Sequence, residues 1–405
     1  MTLWLLAWRN VRRNLRRSAL SVGSVAVGLA AVMFGQSLLR SFQRQMIDKA
    51  TGVMLGHLEV QAAGAKNRQT PERLLEGPER FAELFAHDPR VAAVGPRLLY
   101  TGLAASAVAS RGILIAGVDP AAERGLSIIP SYLVRGRYLK DGRDVVLGVK
   151  LAHDLDVRVG EKLVLMAQQP SGDMGSQLFR VAGIYETRSF IYDSQVAYVP
   201  LPAAQALRAR PGAVSHVAVR LKDSSLTERV KRDYEGRLGD PKAVLLSYRD
   251  VGTEVVGIKK FQDAILAVVM LVIYAIVSLG ILNTVSMSMY ERIREFGVIR
   301  AVGARPGALL RLILAEAALL GALGAAGGLA LGGALIALFG WVGLPLPLGA
   351  ALSYFMPFDD VVIMHAQWGL HLRSAAGLWL ACLLAALGPA VRAMRLVVSD
   401  ALRHV

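Results

Sequence analysis

Tyr290-Glu291-Arg292-Ile293-Arg294-Glu295-Phe296-Gly297-Val298-Ile299-Arg300-Ala301-Val302-Gly303-Ala304-Arg305-Pro306 is the stretch whose reading decides the fold. Glu291 and Glu295 are four residues apart, as are Ile293 and Gly297, so the spacing predicts a short helix with a charged face. Gly303 suits the end of that helix, and Pro306 suits the first turn of the next. The result is a compact knob between two apolar runs. Before it, residues 264–290 are 27 uncharged residues, and after it residues 317–358 carry no charge for 42.

Working outward, four segments are long enough to cross a bilayer core of ~30 Å at ~1.5 Å per residue. They are 18–39, 264–290, a third over 311–338, and 374–391, which closes on Gly388-Pro389. The third is ended near Leu338 because Pro345, Pro347 and Pro357 follow. The first is too long for a signal-peptide core and is expected to stay as an anchor.

The charge pattern orients these spans. The 405 residues carry a net charge of +15, only 19% are charged, and mean hydropathy is +0.43. Residues 1–17 hold five arginines and no acid, 291–311 hold five against Glu291 and Glu295, and 392–405 hold three against Asp400. Each abuts an apolar run, which is the positive-inside pattern rather than a nucleic-acid patch. Both termini (1–17 and 392–405) and the 291–310 loop are therefore expected in the cytoplasm. Residues 40–262 and 339–373 are expected outside.

The fold class expected is four transmembrane α-helices plus a large α+β extracytoplasmic (periplasmic) domain between the first and second. Strand-like runs recur at 57–61, 112–118, 144–147, 162–166, 178–184, 196–199 and 216–221. Residues 70–87, 202–209 and 226–238 read as helices, and two lobes dividing near residue 100 are expected. Residues 36–50, with Leu39, Phe42 and Met46 at helical spacing, continue the first span. Residues 247–262, with Val251, Val255 and Ile258 in register, lead into the second. The pair reads as two stalks. Gly324, Gly328 and Gly332 bare one face of the third span for a close helix crossing, within this chain or with another.

Catalytic signatures are absent from the sequence. No Gly-Lys dipeptide occurs, which excludes a phosphate-cradling Walker loop, and there is no H-E-x-x-H or G-x-S-x-G. The seven histidines are scattered, and Cys382 is the single cysteine. Glu316 is read as an interfacial, snorkelling carboxylate. Asp359-Asp360 is read as a solvated turn, with Trp341, Tyr354 and Trp368 as an aromatic belt. No catalytic residue, cofactor or metal site is expected on this chain.

The run 291–304 resembles the coupling-helix signature of the FtsX-like permease family, the MacB and LolC/LolE type of ABC transporter subunit. Trp8-Arg9-Asn10 with the arginines that follow resembles the family's amphipathic entry helix. Residues 314–320 with the glycines resemble its third span. Residues 389–403 resemble its closing tail, with Val397-Val398 in place of the usual Asp-Pro. In the outer domain, Gly183-Ile184-Tyr185, Tyr192-Asp193-Ser194 and Tyr198-Val199-Pro200-Leu201 resemble the LolC/LolE branch, as do 138–148 and 160–166.

The resemblance implies a permease without ATPase activity, paired with a second permease, identical or related, and with two separate ATPase subunits carrying ATP and Mg. The coupling residues would be Glu291, Arg292, Arg294, Glu295, Phe296, Gly297, Arg300, Ala301, Val302, Gly303 and Ala304. Motion rather than conduction would be transmitted, from a bacterial inner membrane to a periplasmic lipoprotein carrier. A MacB-like efflux permease with a periplasmic adaptor is the alternative, and FtsX-like signalling to a cell-wall hydrolase is a third.

Overall fold

The computed structural model describes residues 2–65, 73–140, 142–345, 359 and 361–396. Two compact units emerge. One comprises Met1–Phe42, Lys259–Pro345 and Val361–Val405, and the other Gln43–Ile258 with Leu346–Asp360. The chain opens with α1 (Thr2–Arg13), breaks at Asn14, and enters α2 (Leu15–Ala50). The break is tight, because Ser18 Oγ donates to Val11 O at 2.8 Å. Residues 36–50 are the uninterrupted end of α2, where Met46 is buried.

The inserted unit is built around a single sheet. Its first half runs β1 (Leu58–Ala62), α3 (Pro78–Ala86), β2 (Val91–Ala105), β3 (Ser110–Val118), α4 (Pro120–Leu126), β4 (Leu133–Gly136), β5 (Asp144–Gly148) and α5 (Val149–Asp154). Its second half runs β6 (Lys162–Gln168), β7 (Met174–Tyr185), α6 (Phe190–Gln195), β8 (Val196–Pro200), α7 (Leu201–Leu207), β9 (His216–Leu221), α8 (Thr227–Glu235), β10 (Ala243–Ser247) and α9 (Tyr248–Val251). The strand order is β10-β1-β9-β2-β3-β8-β5-β7-β4, with β6 bridging β2 and β7. β3–β8 and β5–β7 are parallel, and the other pairs are antiparallel.

A lobe boundary near residue 100 is overturned. Tyr100 lies mid-strand in β2, which pairs β9 with its first half and β3 with its second. Nearby Gly102 permits this crowding, since a Cβ there would stand 2.5 Å from Met166 O. The expected helix over 70–87 is also shorter. Among the described residues it is α3 alone, opened by Gly77 at φ 60° and Pro78. Residues 66–72 lie outside the described residues.

Polar groups are locked inside this unit. Arg97 and Glu123 form a fully buried ion pair at 2.7 Å, and Arg97 also reaches Met54 O. Glu59 accepts from Gln61 Nε2 at 2.8 Å, and burial pushes its carboxyl up to about 8. Burial drives His216 down to about 3 and His57 to about 4. His57 Nδ1 accepts from the Leu221 N–H at 2.9 Å.

The second stalk is corrected as well. A capping box between Ser247 and Asp250 starts the short α9, which ends at Gly252. A new helix, α10 (Thr253–Glu291), follows. Val251 is thus buried on a separate helix, and Ile258 is 45% exposed rather than packed into a stripe. The Val255 side chain lies outside the described residues, and Leu39 and Phe42 are half-buried.

The remaining elements are α11 (Ile293–Ala301), α12 (Pro306–Val342), a two-residue pairing of β11 (Leu344–Pro345) with β12 (Val361–Val362), and α13 (Trp368–Met394). Among the described residues, four helices, carried on α2, α10, α12 and α13, are long and apolar enough to cross a membrane. α12 runs four residues past Leu338 and stops at Gly343, whose φ of +76° the helix cannot continue. α13 starts six residues before Ser374 and runs on through Pro389 to Met394, past the expected end at Val391. Asp359 pairs with Lys49 at 2.8 Å, whereas Asp360, Tyr354 and the Val397-Val398 tail lie outside the described residues.

The three glycines choose a neighbour within the chain. A Cβ on Gly324 would meet Val25 Cβ at 2.5 Å, one on Gly328 would meet Leu29 Cβ at 2.7 Å, and one on Gly332 would meet Met33 Sδ at 3.0 Å. Val25, Leu29 and Met33 are themselves spaced by four and fully buried, so a ridge of α2 seats in the bare groove of α12. Toward the other end of α2, Gln36 donates to Ser374 Oγ at 2.8 Å, and Ser37 Oγ lies 3.1 Å from His371 Nε2. Tyr274 donates to Ser374 O at 2.7 Å, tying α2, α10 and α13 together by polar bonds.

Candidate functional site: the knob between the second and third membrane helices

The knob forms because two helices must end within sixteen residues. Arg292 takes φ −113° and ψ 16°, which breaks α10 from α11. α11 ends at Ala301, Val302 caps it, Gly303 adopts φ +99°, and Pro306 opens α12. Phe296, 1% exposed, and the buried Gly297 fix α11 to the membrane unit, with the Arg292 guanidinium 5.2 Å from the Phe296 ring.

Ionic bonds hold the inward side. Arg292 lies 2.9 Å from Glu295 and 2.8 Å from Glu316. Glu316 also accepts from Asn10 Nδ2, so this carboxylate is buried and doubly partnered rather than snorkelling. On the same helix, Arg311 turns its Nε to Gly307 O. Glu295 is also 2.7 Å from Arg13, and Glu291 accepts from Arg17 at 2.8 Å. The Arg292 hydrogen bond, then that of Arg13, holds the Glu295 carboxyl below its ordinary range. Glu291, Arg292 and Glu295 are therefore spent within the chain.

What faces outward is a different set. Arg294, Val298 and Ala301 are exposed at helical spacing on α11, and Val302, 85% exposed, and Arg305 are exposed just beyond its end. Ile299 is exposed beside them, Arg300 and Ala304 are half-buried, and Gly303 is exposed. Val298, Ile299 and Arg305 are absent from the residues the motif singled out, although stepping by four from Arg294 reaches Val298 and Val302. The result is an exposed apolar strip flanked by two arginines, on and just past a helix pinned from behind.

Two family models cover most of the chain: the MacB-like periplasmic core domain over residues 18–236 and the FtsX-like permease C-terminal over 267–398. The chain belongs to the MacB/FtsX-like family of ABC transporter permeases. The second model spans the knob, and the first spans most of the inserted sheet unit. This FtsX-like permease is 25% identical over 331 residues to the lipoprotein-releasing system transmembrane protein LolC of Xylella fastidiosa, covering 79% of this chain and 77% of that protein. It is 23% identical to LolE of Haemophilus influenzae, covering 77% of each. Identity to the macrolide export ATP-binding/permease protein MacB 1/2 of Paracoccus denitrificans is also 23%, over 80% of this chain and 49% of that protein. Among solved structures, the periplasmic region of MacB from Actinobacillus actinomycetemcomitans is similar at 12% identity and a TM-score of 0.37, covering 52% of this chain and 97% of that one.

Proposed function

We propose that this permease transmits ATP-driven motion from a separate cytoplasmic ATPase to its periplasmic domain, and that the cargo is lipoprotein leaving an inner membrane for a periplasmic carrier. The observation that carries the first part is the outward strip of Arg294, Val298 and Ala301 on α11, continued by Val302 and Arg305 beyond its end, with α11 clamped by Phe296 and Arg292. Apolar side chains beside arginines provide both an anchor and a register for a partner. The clamp makes α11 move with α10 and α12, so force applied there reaches the membrane helices. ATP and Mg would sit on two ATPase chains, with a second permease completing the assembly. Both termini and the knob lie in the cytoplasm on this reading, in keeping with their arginines.

The lipoprotein reading is supported by the LolC and LolE likeness, which extends over 77% of those proteins; the MacB relative matches as much of this chain, 80%, so efflux with a periplasmic adaptor is the second reading. In proteoliposomes holding the permease and its ATPase chain, Val298→Asp with Val302→Asp is expected to lower coupled hydrolysis at least about tenfold, as loss of a central anchor does. Unchanged hydrolysis contradicts the docking role. Crosslinking the periplasmic domain in cells then separates a lipoprotein carrier from a hairpin adaptor.

A further inference from the structure

The turn that ends α2 is tied to the inserted sheet unit at three successive carbonyls. α2 keeps helical geometry to Ala50 and widens into a single π turn, Thr51–Leu55, closed by Gly56 N–H on Thr51 O at 2.9 Å. A helix leaves its final carbonyls without partners of its own. Here each finds one on a different part of the unit. Ile128 N–H donates to Gly52 O at 2.9 Å, the Tyr198 hydroxyl of β8 donates to Val53 O at 3.3 Å, and the Arg97 guanidinium of β2 donates to Met54 O. Glu123 of α4 aims Arg97, accepting from its Nε at 3.1 Å and from a terminal nitrogen at 2.7 Å. Gly56, at φ +65°, then turns the chain into β1. The second connection is built differently. α9 is pinned by its Ser247–Asp250 capping box and by Lys231, 2.8 Å from Asp250, but Gly252, at φ −86° and ψ 60°, separates it from α10.

We propose that Arg97 is a positioning residue that latches the end of α2 to the sheet, so that the two move as one body, while Gly252 is a hinge that lets α10 swing. Energetics supports the latch. A buried ion pair adds little stability over apolar side chains of its size. Stability alone therefore gives no reason for Arg97 and Glu123, 2% and 1% exposed, to occupy this place. Direction does. A two-pronged guanidinium–carboxylate pair fixes the angle of the remaining nitrogen, and that nitrogen holds the Met54 carbonyl at the negative end of the helix dipole. A turn held by packing alone can slide over its neighbours. Hydrogen bonds from β2, from β8 and from the segment after α4 point at three different carbonyls, and no single slide keeps all of them. On the function proposed above, motion of α2 enters the sheet here. The latch itself holds without that reading, so its test uses this chain alone.

The test is double electron–electron resonance on the full chain in nanodiscs, in a Cys382→Ala background. One nitroxide is carried by Leu178→Cys, an exposed position of β7, and the other by Arg44→Cys on α2 or Ile258→Cys on α10, both exposed. The α2 pair is expected to give a distance distribution at least about twofold narrower than the α10 pair, as a hinge in one connection alone requires. Arg97→Met with Glu123→Leu removes both buried charges and is expected to keep the unfolding temperature. It broadens the α2 pair to the width of the α10 pair and leaves the α10 pair as it was. Tyr198→Phe, which removes one hydroxyl and keeps the ring, broadens the α2 pair in the same direction and decides the matter if the double variant is destabilised. Three results overturn the proposal: an α2 pair as broad as the α10 pair before any change at Arg97, an α2 distribution unaltered in both variants, or equal broadening of the two pairs, which marks a general loosening of the domain.

Discussion

Arg292 and Glu316 stand 2.8 Å apart, each side chain only about a tenth exposed, and together they join the first residue of the knob to the third membrane helix. Removing one partner of such a pair leaves the other buried and uncompensated, at a cost of about 3–5 kcal/mol. Arg292→Ala is therefore expected to lower the unfolding temperature of the detergent-solubilised chain markedly. Arg292→Met combined with Glu316→Gln removes both charges and should recover most of that loss. Equal damage in the single and double variants would contradict the pairing.

Charge reversal separates the two faces of α11. Glu295 already holds Arg292 and Arg13, so Glu295→Lys is expected to loosen the knob and raise its hydrogen exchange. Arg294→Glu changes only an exposed side chain and should leave exchange unaltered while reducing coupled ATPase activity. Both readouts moving together in the Arg294 variant would show that this residue is structural.

Small residues between α2 and α12 cannot be enlarged. Gly328→Ala places a methyl 2.7 Å from Leu29 Cβ and 2.9 Å from Ala26 O. Overpacking of this kind costs about 1–3 kcal/mol. Gly35→Ala, on α2 where nothing lies within 4 Å, is expected to be neutral or stabilising. Thermal unfolding of the two variants checks the contrast.

The inserted domain is expected to be most stable near pH 6.5. Between 4.5 and 6.5 the unfolded chain binds a proton on each of His57 and His216 that the folded chain excludes, while folded Glu59 keeps one that the unfolded chain has lost. The excess lies with the unfolded state, so stability rises with pH there. Above 6.5 the histidines are neutral in both states and only Glu59 counts, so stability falls toward pH 8 by at most ~1.4 kcal/mol per pH unit. Hydrogen exchange of the β1 and β9 amides reads this curve, and Glu59→Gln should flatten its alkaline limb.

The membrane helices were legible because a span declares itself by composition alone. Strands with uninterrupted apolar runs were legible too, and β9 matches 216–221 residue for residue. β2 escaped because Gly95, Pro96 and Gly102 read locally as breakers. Their reasons are distant: Gly95 makes room for Ala122 and Leu126 of α4, and Gly102 for the Met166 carbonyl. The same limit applied to the knob. Its position and ends follow from glycine, proline and charge, but the inward turn of Arg292 and outward turn of Arg294 depend on Glu316 and on Asn10, which is bonded to Glu316 across 306 residues. Local spacing carries no trace of that bond.

The most direct measurement places a photoreactive phenylalanine at Val302, the most exposed apolar position of the knob, at the end of α11. On irradiation in cells, the account predicts a covalent adduct between this chain and a nucleotide-binding ATPase chain, with none from the same residue placed at Leu20, an exposed apolar position of α2 within the membrane span. Absence of that adduct at Val302, with reaction of Val302→Cys toward a membrane-impermeant thiol reagent added outside the cell, would contradict it.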